Sequence, residues 1–280
     1  MRKTNKTTRI SRVSENVKIG INQQEMLNDF NIRINKKLKE FNSSSETTCI
    51  ISFNQWLGGL MDSDGCFYFS KNGYLTCEIN LSMREIDSLY KIKSKFGGSI
   101  THRVSENCLR WRLHKEDLLI KFLSALNGNI YHKIDKFEKA MNLYLPEVTI
   151  KTNNFNESGA WLSGFFEGDG CVNINSNNYQ LNINISQKTS DILEKIQKVY
   201  GGNLYYDKSW SGYKWEVSNK KDLLFLFEYF TLYPLKSKKN SDIISAKRFF
   251  RYKLLDYHLN PLKQQQLNHF IKSFQNRRKI

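Results

Sequence analysis

Several stretches of the chain alternate apolar and polar residues with a period of two. Val172 and Ile174, then Leu181, Ile183 and Ile185, alternate with Asn173, Asn175, Asn182 and Asn184. This predicts strands with one buried face and one amide face. Phe67 and Phe69 alternate in the same way with Tyr68 and Ser70, and Asn72-Gly73 just beyond predicts a hairpin turn. Leu109, Trp111 and Leu113 share one face of a later strand while Arg110 and Arg112 share the other; Trp215 and Val217 likewise oppose Lys214 and Glu216. Helices are predicted over about 85–97 and 189–200. Two more, ending WLGGLMDSDGC (56–66) and WLSGFFEGDGC (161–171), should stop at Gly65 and Gly170, since a glycine able to take positive φ commonly ends a helix.

These elements recur. After each of the two motifs, LSMREIDSLYKI (81–92) matches ISQKTSDILEKI (185–196), Gly97-Gly98 matches Gly201-Gly202, and LHKEDLLIKFL (113–123) matches SNKKDLLFLFE (218–228). Trp111 and Trp215 hold nearly the same distance from their motifs, a register that chance does not keep. The chain therefore reads as two homologous halves, 46–150 and 151–257, between an N-terminal extension (1–45) and a C-terminal tail (258–280). Each half has the order αββαββα, which predicts an α+β fold of tandem pseudo-symmetric repeats with two antiparallel sheets.

Charge sharpens this picture. Of 280 residues, 43 are Lys or Arg and 27 Asp or Glu, a net charge of +16. Residues 1–45 carry +6 and residues 236–280 carry +10, so the middle is neutral. Basic ends on a neutral body suit a polyanionic partner, most often a phosphate backbone. Five cysteines without a CxxC pair argue against a disulfide framework or zinc ribbon and for a reducing compartment. No apolar run is long enough to span a membrane, so no membrane partner is expected. The first stretch, MRKTNKTTRISRVS, reads as an organellar presequence or a basic arm and lacks the apolar core of a secretory signal. Abundant Asn, Lys and Ile point to AT-rich, organellar coding.

The motifs carry the chemistry. Small residues (Gly58, Gly59, Ser163 and Gly164) would let two helices approach side by side, bringing Asp64 and Asp169 together at their C-terminal ends. Two carboxylates there meet the negative end of each helix dipole and each other, an arrangement that calls for a divalent cation. Hard oxygen ligands suit Mg²⁺. A calcium loop beginning at Asp62 fails, because Phe67 and Gly73 stand where glycine and glutamate are required. On the polar strand faces, asparagine suits adenine edges and arginine suits guanine in the major groove. Arg110, Arg112, Lys214, Asn173, Asn175, Asn182, Asn184, Tyr68 and Ser70 are the candidate nucleic-acid contacts.

LGGLMDSDG (57–65) and LSGFFEGDG (162–170) resemble the two signature helices of a single-chain LAGLIDADG homing endonuclease, a resemblance that covers about residues 54–257. It implies two sheets forming a DNA-binding saddle and a monomer that makes one break in each strand of a duplex, with Mg²⁺ (or Mn²⁺) as cofactor. It further implies that Asp64 and Asp169 bind metal, helped by the backbone carbonyls of Ser63 and Gly168. Gln187 in ISQKT matches the family's solvent-organising glutamine, but Met83 stands at that place in the first half, which implies unequal cutting of the two strands. Lys133 and Lys239 match lysines that support the transition state, with Lys236 and Lys238 close enough to compete for the second role. The resemblance implies an intron-homing enzyme of a mitochondrion or plastid. The same scaffold also serves as a group I intron maturase or as an RNA-binding component of a larger particle, with structured RNA as partner. A non-cleaving regulator is a third, less favoured class.

Overall fold

The computed structural model describes residues 46–278 and, ahead of them, residues 25, 28, 29 and 31–36, so most of the expected basic extension over 1–45 lies outside the described residues. Two four-stranded antiparallel sheets form its frame. β1 (Gly65–Phe69), β2 (Leu75–Ser82), β3 (Ser99–Arg103) and β4 (Cys108–Leu113) pair in the order β1-β2-β4-β3. β5 (Gly170–Ile174), β6 (Leu181–Gln187), β7 (Asn203–Asp207) and β8 (Gly212–Val217) repeat this as β5-β6-β8-β7. The first half adds α1 (Glu46–Ser63), α2 (Ile86–Phe96), α3 (Glu116–Leu126) and α4 (Ile134–Tyr144). The second adds α5 (Trp161–Asp169), α6 (Asp191–Tyr200), α7 (Lys220–Leu232), α8 (Asn240–Leu254) and α9 (Pro261–Arg277). The α+β class and the duplicated sheets are as the alternation predicts. The first half closes with one helix more than the αββαββα order and the second, with α9, with two more.

Each half has its own core. Leu109, Trp111 and Leu113 pack with Leu89, Ile92, Leu119 and Phe122 in the first; Trp215, Val217, Leu193, Ile196 and Leu226 do so in the second. Helices thus cover the apolar face of each sheet and leave the alternate face polar. The paired glycines fix this packing. Gly97 and Gly98 have φ of 76° and 84°, Gly201 and Gly202 of 73° and 81°, and the Trp111 and Trp215 indoles donate to the Gly97 and Gly201 carbonyls at 2.9 and 2.8 Å.

Three local expectations change. Gly65 and Gly170 do not take positive φ; each begins a strand, with Gly170 at φ −76°, ψ 145°. They are glycine for space: a Cβ would lie 2.5 Å from the Met61 Cα at Gly65 and 2.2 Å from the Phe166 ring at Gly170. The β1–β2 turn is a three-residue loop rather than a two-residue Asn-Gly turn, with Gly73 at φ 83° and Ser70 N–H donating to Tyr74 O at 2.9 Å. Finally, residues 261–277 are not a tail. α9 buries Leu267, Ile271 and Phe274 in the second core, because its apolar positions recur at helical spacing.

The halves join through α1 and α5. A Cβ on Gly59 would stand 1.9 Å from Trp161 O, and one on Gly164 1.8 Å from Trp56 O, so the two backbones touch. Gly58 and Ser163 do not share that role. Gly58 faces Asn129 O in its own half, and the Ser163 N–H donates to the Tyr229 hydroxyl at 3.1 Å. Replacing Gly164 with Val should cost at least about 3 kcal/mol, since rigid backbone would have to give way. Gly73→Ala, with nothing within 4 Å, should cost only about 1 kcal/mol for its left-handed backbone. Thermal unfolding of the two variants measures the contrast.

Candidate active site

The crossing of α1 and α5 sets Asp64 and Asp169 at the helix ends, one residue before β1 and β5 begin. They are close: a Cβ on Gly168 would lie 2.8 Å from Asp64 Oδ2 and 2.3 Å from Ser63 Oγ. Burial first, and then the Asp169 charge, raise the Asp64 carboxyl to about 7; burial also raises that of Asp169. Gln187 at the end of β6 donates its amide to Asp169. Met83, the first-half counterpart, is 46% exposed and has no such donor to offer. Sequence reasoning missed Glu85, two residues further on. Its buried carboxylate accepts the Ser82 N–H at 3.1 Å and stands 3.8 Å from Lys239 Nζ. Nothing in the repeat signals it, since Thr189 holds the matching place.

Lys133 and Lys239 precede α4 and α8 and reach the ends of the motif helices. Lys133 Nζ donates to the carbonyls of Met61, Ser63 and Gly65 at 3.1, 2.6 and 2.6 Å. Lys239 Nζ donates to those of Phe166, Glu167 and Gly168 at 3.5, 2.6 and 3.0 Å. Terminal helix carbonyls lack intrahelical donors and carry the negative end of the dipole, so an ammonium suits them. Burial nevertheless lowers the Lys133 pKa, against the pull of Asp62, Asp169 and Asp64. The competition at 236–239 also resolves geometrically: Lys238 is exposed and Lys236 turns to the rings of Trp56 and Phe53.

A second pair of acids holds these lysines in place. Asp62 accepts the backbone N–H groups of Tyr131 and Lys133 at 2.7 and 2.9 Å, and the Trp161 indole N–H of the other half at 3.0 Å. Glu167 accepts the Lys236 N–H at 2.9 Å and the Trp56 indole N–H at 3.4 Å. Each motif's opening tryptophan thus bonds the other motif's first acid, and each acid anchors the loop ahead of a lysine. The sequence held a signal for this: a tryptophan and an acid at matching places in both motifs.

The polar strand residues fall into three groups. Tyr68 and Asn173 are exposed on β1 and β5. Arg110 and Arg112 lie opposite Asn80 and Glu78 of β2, and Glu78 draws both, at 3.5 and 2.7 Å; Lys214 pairs with Glu216 at 2.6 Å, and Asn184 bonds Asn182 at 3.1 Å. Ser70 and Asn175 lie beyond the strands and serve turns, accepting the N–H groups of Tyr74 and Asn177 at 3.0 and 2.8 Å.

The two carboxylates at the helix ends are hard oxygen donors that suit a hard divalent cation, and the Ser63 and Gly168 carbonyls beside them already accept from Lys133 and Lys239. Among the described residues no group of three or more His, Cys, Asp or Glu converges to hold a metal ion, and no helix is long and apolar enough to cross a membrane.

Comparison with known proteins agrees with this geometry. Residues 162–250 match the family model described as LAGLIDADG endonuclease. The chain is 34% identical to the probable intron-encoded endonuclease aI2 of Debaryomyces hansenii, covering 86% of this chain and 39% of that protein. It is 33% identical to the intron-encoded RNA maturase bI4 of Saccharomyces cerevisiae, covering 80% and 36%. With the intron-encoded DNA endonuclease ai2b of Dictyostelium discoideum the identity is 32%, covering 71% of this chain and 80% of the relative. The chain thus spans under two fifths of the first two relatives. Its fold is similar to that of the LAGLIDADG meganuclease I-AabMI bound to uncleaved DNA (TM-score 0.60, 22% identity, 78% of this chain and 98% of that one). It also resembles I-SmaMI bound to an uncleaved DNA target in the presence of calcium ions (TM-score 0.58, 17% identity, 78% and 97%). Fold, twin motifs and relatives define a two-motif LAGLIDADG protein. The chain belongs to the LAGLIDADG endonuclease family.

Raised carboxyl pKa values have a consequence for stability. A carboxyl raised in the folded state binds its proton more tightly there than in the unfolded chain, so stability falls as pH rises from its unfolded value through its folded one. Asp62, raised to about 6 by burial, and Asp64, raised to about 7, place that loss between about pH 4 and pH 7. In chelator, Asp64→Asn should therefore gain Tm over wild type progressively from about pH 4 to about pH 7 and then level off, which thermal unfolding across pH checks. A constant difference would count against the desolvated pair.

Proposed function

We propose that the chain is a site-specific double-strand DNA endonuclease of intron homing that hydrolyses one phosphodiester in each strand. The observation that supports this best is the meeting of Asp64 and Asp169 at the ends of touching helices, each one residue before the sheet of its own half begins. A duplex laid over the two polar sheet faces would then meet both acids at its centre, opposite the minor groove, with breaks that leave 3′ overhangs.

In this reading Asp64 and Asp169, with the carbonyls of Ser63 and Gly168, hold Mg²⁺ (or Mn²⁺). Such an ion, when bound, lowers the pKa of a water and stabilises the attacking and leaving oxygens. Gln187, already bonded to Asp169, orients solvent on one side. Lys133 and Lys239, anchored through Asp62 and Glu167, supply positive charge as the phosphate gains negative charge. Arg110, Arg112, Lys214, Asn182 and Asn184 contact bases or phosphates once their same-face partners yield, while the exposed Tyr68 and Asn173, the latter accepting the Cys171 thiol at 3.7 Å, reach them directly. Ser70 and Asn175 act by shaping the turns at the saddle's rim. Both acids sit in one chain, so a monomer suffices and an asymmetric site follows.

The relatives are named as intron-encoded proteins, which favours an organelle-encoded gene and residence in a mitochondrion or plastid. The name RNA maturase on one relative, with the basic C-terminal region of this chain, supports a second role in binding structured intron RNA.

A plasmid carrying the intronless insertion junction tests the main reading. Linear product should form only with Mg²⁺ or Mn²⁺, and Asp64→Asn should slow it by at least about 1000-fold with target affinity within a few-fold. Loss of affinity with cleavage intact would contradict the assignment. Because Met83 replaces the glutamine, nicked circles should accumulate before linear product. Met83→Gln should shrink that intermediate, as a time course of supercoiled, nicked and linear forms will show.

A further inference from the structure

The helical flank of the first half carries a group of lysines that the nuclease reading leaves unused. Lys95 Nζ lies over the Phe53 ring at 4.3 Å, and Lys236 Nζ lies 5.7 Å from the same ring and 5.4 Å from Trp56. Lys91 Nζ donates to Lys236 O at 2.6 Å, and Lys121 Nζ to Lys95 O at 3.4 Å. Two ammonium groups thus lie over one side chain of α1, and two more, from α2 and α3, reach the backbone carbonyls of those same two lysines. Among the described residues none of the four makes an ion pair with a carboxylate; the nearby acid, Glu167, is buried and bonded to backbone and indole N–H groups. Lys121 adds to the burial that lowers the Lys95 pKa, and Lys91 and Lys95 do the same to Lys236 against the opposing pull of Glu167.

The fold does not require this. Aligning the halves on their buried helix positions (Leu89 with Leu193, Leu119 with Leu223, Phe122 with Leu226) puts Val199 where Lys95 stands and Phe225 where Lys121 stands. The second half sets apolar residues at those two places, while Lys195 matches Lys91 and donates in the same way, to Tyr131 O at 3.4 Å. A cluster of like charges that outnumbers its one nearby acid, Glu167, is unfavourable in the free protein and is relieved by a polyanion.

Its position excludes the duplex in the saddle. α2 buries Leu89 and Ile92 against the apolar side of its sheet, so its exposed lysines face away from the polar side. Phe53 also lies eleven residues before Asp64, about 16 Å along the helix. A straight rod across the sheets does not return to this flank, whereas a folded strand can. Tyr90, 55% exposed beside Lys91, adds a ring on which an unpaired base can stack. Lysine is a point charge without the planar fork of arginine, so it reads phosphate rather than base edges.

We infer that Lys91, Lys95, Lys121 and Lys236 form a second phosphate-binding surface, separate from the polar sheet faces, that takes the backbone of folded RNA. This deepens the RNA reading given above and is independent of cleavage.

The test uses the full chain and a transfer RNA as a generic folded probe, with duplex DNA bearing the intronless junction as the second ligand. The K91Q/K95Q/K121Q variant should bind the RNA at least about tenfold more weakly near 100 mM salt, and the slope of log K against log salt should fall by about 2 to 3. Its affinity for the DNA should change less than about twofold, and its Tm should not drop. K220Q/K221Q/K263Q, which removes the same charge elsewhere, should leave the RNA slope within about one unit of wild type. Unchanged RNA binding in the first variant, equal losses in both variants, or a parallel loss of DNA affinity would overturn the proposal. Failure of the wild-type chain to bind RNA at all would instead overturn the RNA reading on which it rests, while plasmid cleavage would remain a separate result.

Discussion

Backbone contact between α1 and α5 is the constraint on which the rest depends. Gly59 and Gly164 leave room for one helix to lie on the carbonyls of the other, and no side chain larger than hydrogen fits there. At that distance the C-terminal ends of both helices, and the two carboxylates on them, share one desolvated volume. Burial first, and then the Asp169 charge, raise the Asp64 carboxyl. Packing thus enforces an electrostatic conflict that a hard divalent cation would resolve. The two lysines relieve part of it by donating to the terminal carbonyls.

The same crossing carries the coupling between halves. Trp161 bonds Asp62 and Trp56 bonds Glu167, and each acid holds the N–H of a loop that leads to a lysine. Placement of each lysine is therefore tied to the opposite motif. Over this symmetric base lies an asymmetric overlay. Met83 stands where the second half has Gln187, and Thr189 stands where the first half has Glu85, which approaches Lys239. Arg84 bridges from the first half to Asp242 of α8 at 3.2 Å, where the second half would set Lys188 against Lys136. Duplication supplied the frame, and divergence made its two halves chemically distinct.

Much of this was legible in the sequence. Alternation in 172–185 and 109–113 gave strands and faces correctly because each sheet buries only one side. The paired glycines marked the same left-handed turns in both halves. Asp64, Asp169, Lys133, Lys239 and Gln187 come together at the helix ends; the first two are marked by the motifs and the other three by the family resemblance. What stayed hidden depends on contacts between elements distant in the chain. Glu78 pairs with both arginines only through cross-strand register, and Glu85 reaches Lys239 only after the halves dock. Gly65 and Gly170 were read for backbone conformation when the limiting factor was the space beside Met61 and Phe166. The C-terminal stretch was judged by charge, which concealed the apolar face of α9.

The most direct measurement of the central claim is the thermal shift that Mn²⁺ gives the metal-free protein, compared among wild type, Asp64→Asn and Asp169→Asn. If the touching helices build one shared cation site, wild type is stabilised and both single variants lose the shift. A full shift retained by either variant would mean that the two carboxylates do not act on the same ion, and would contradict the account.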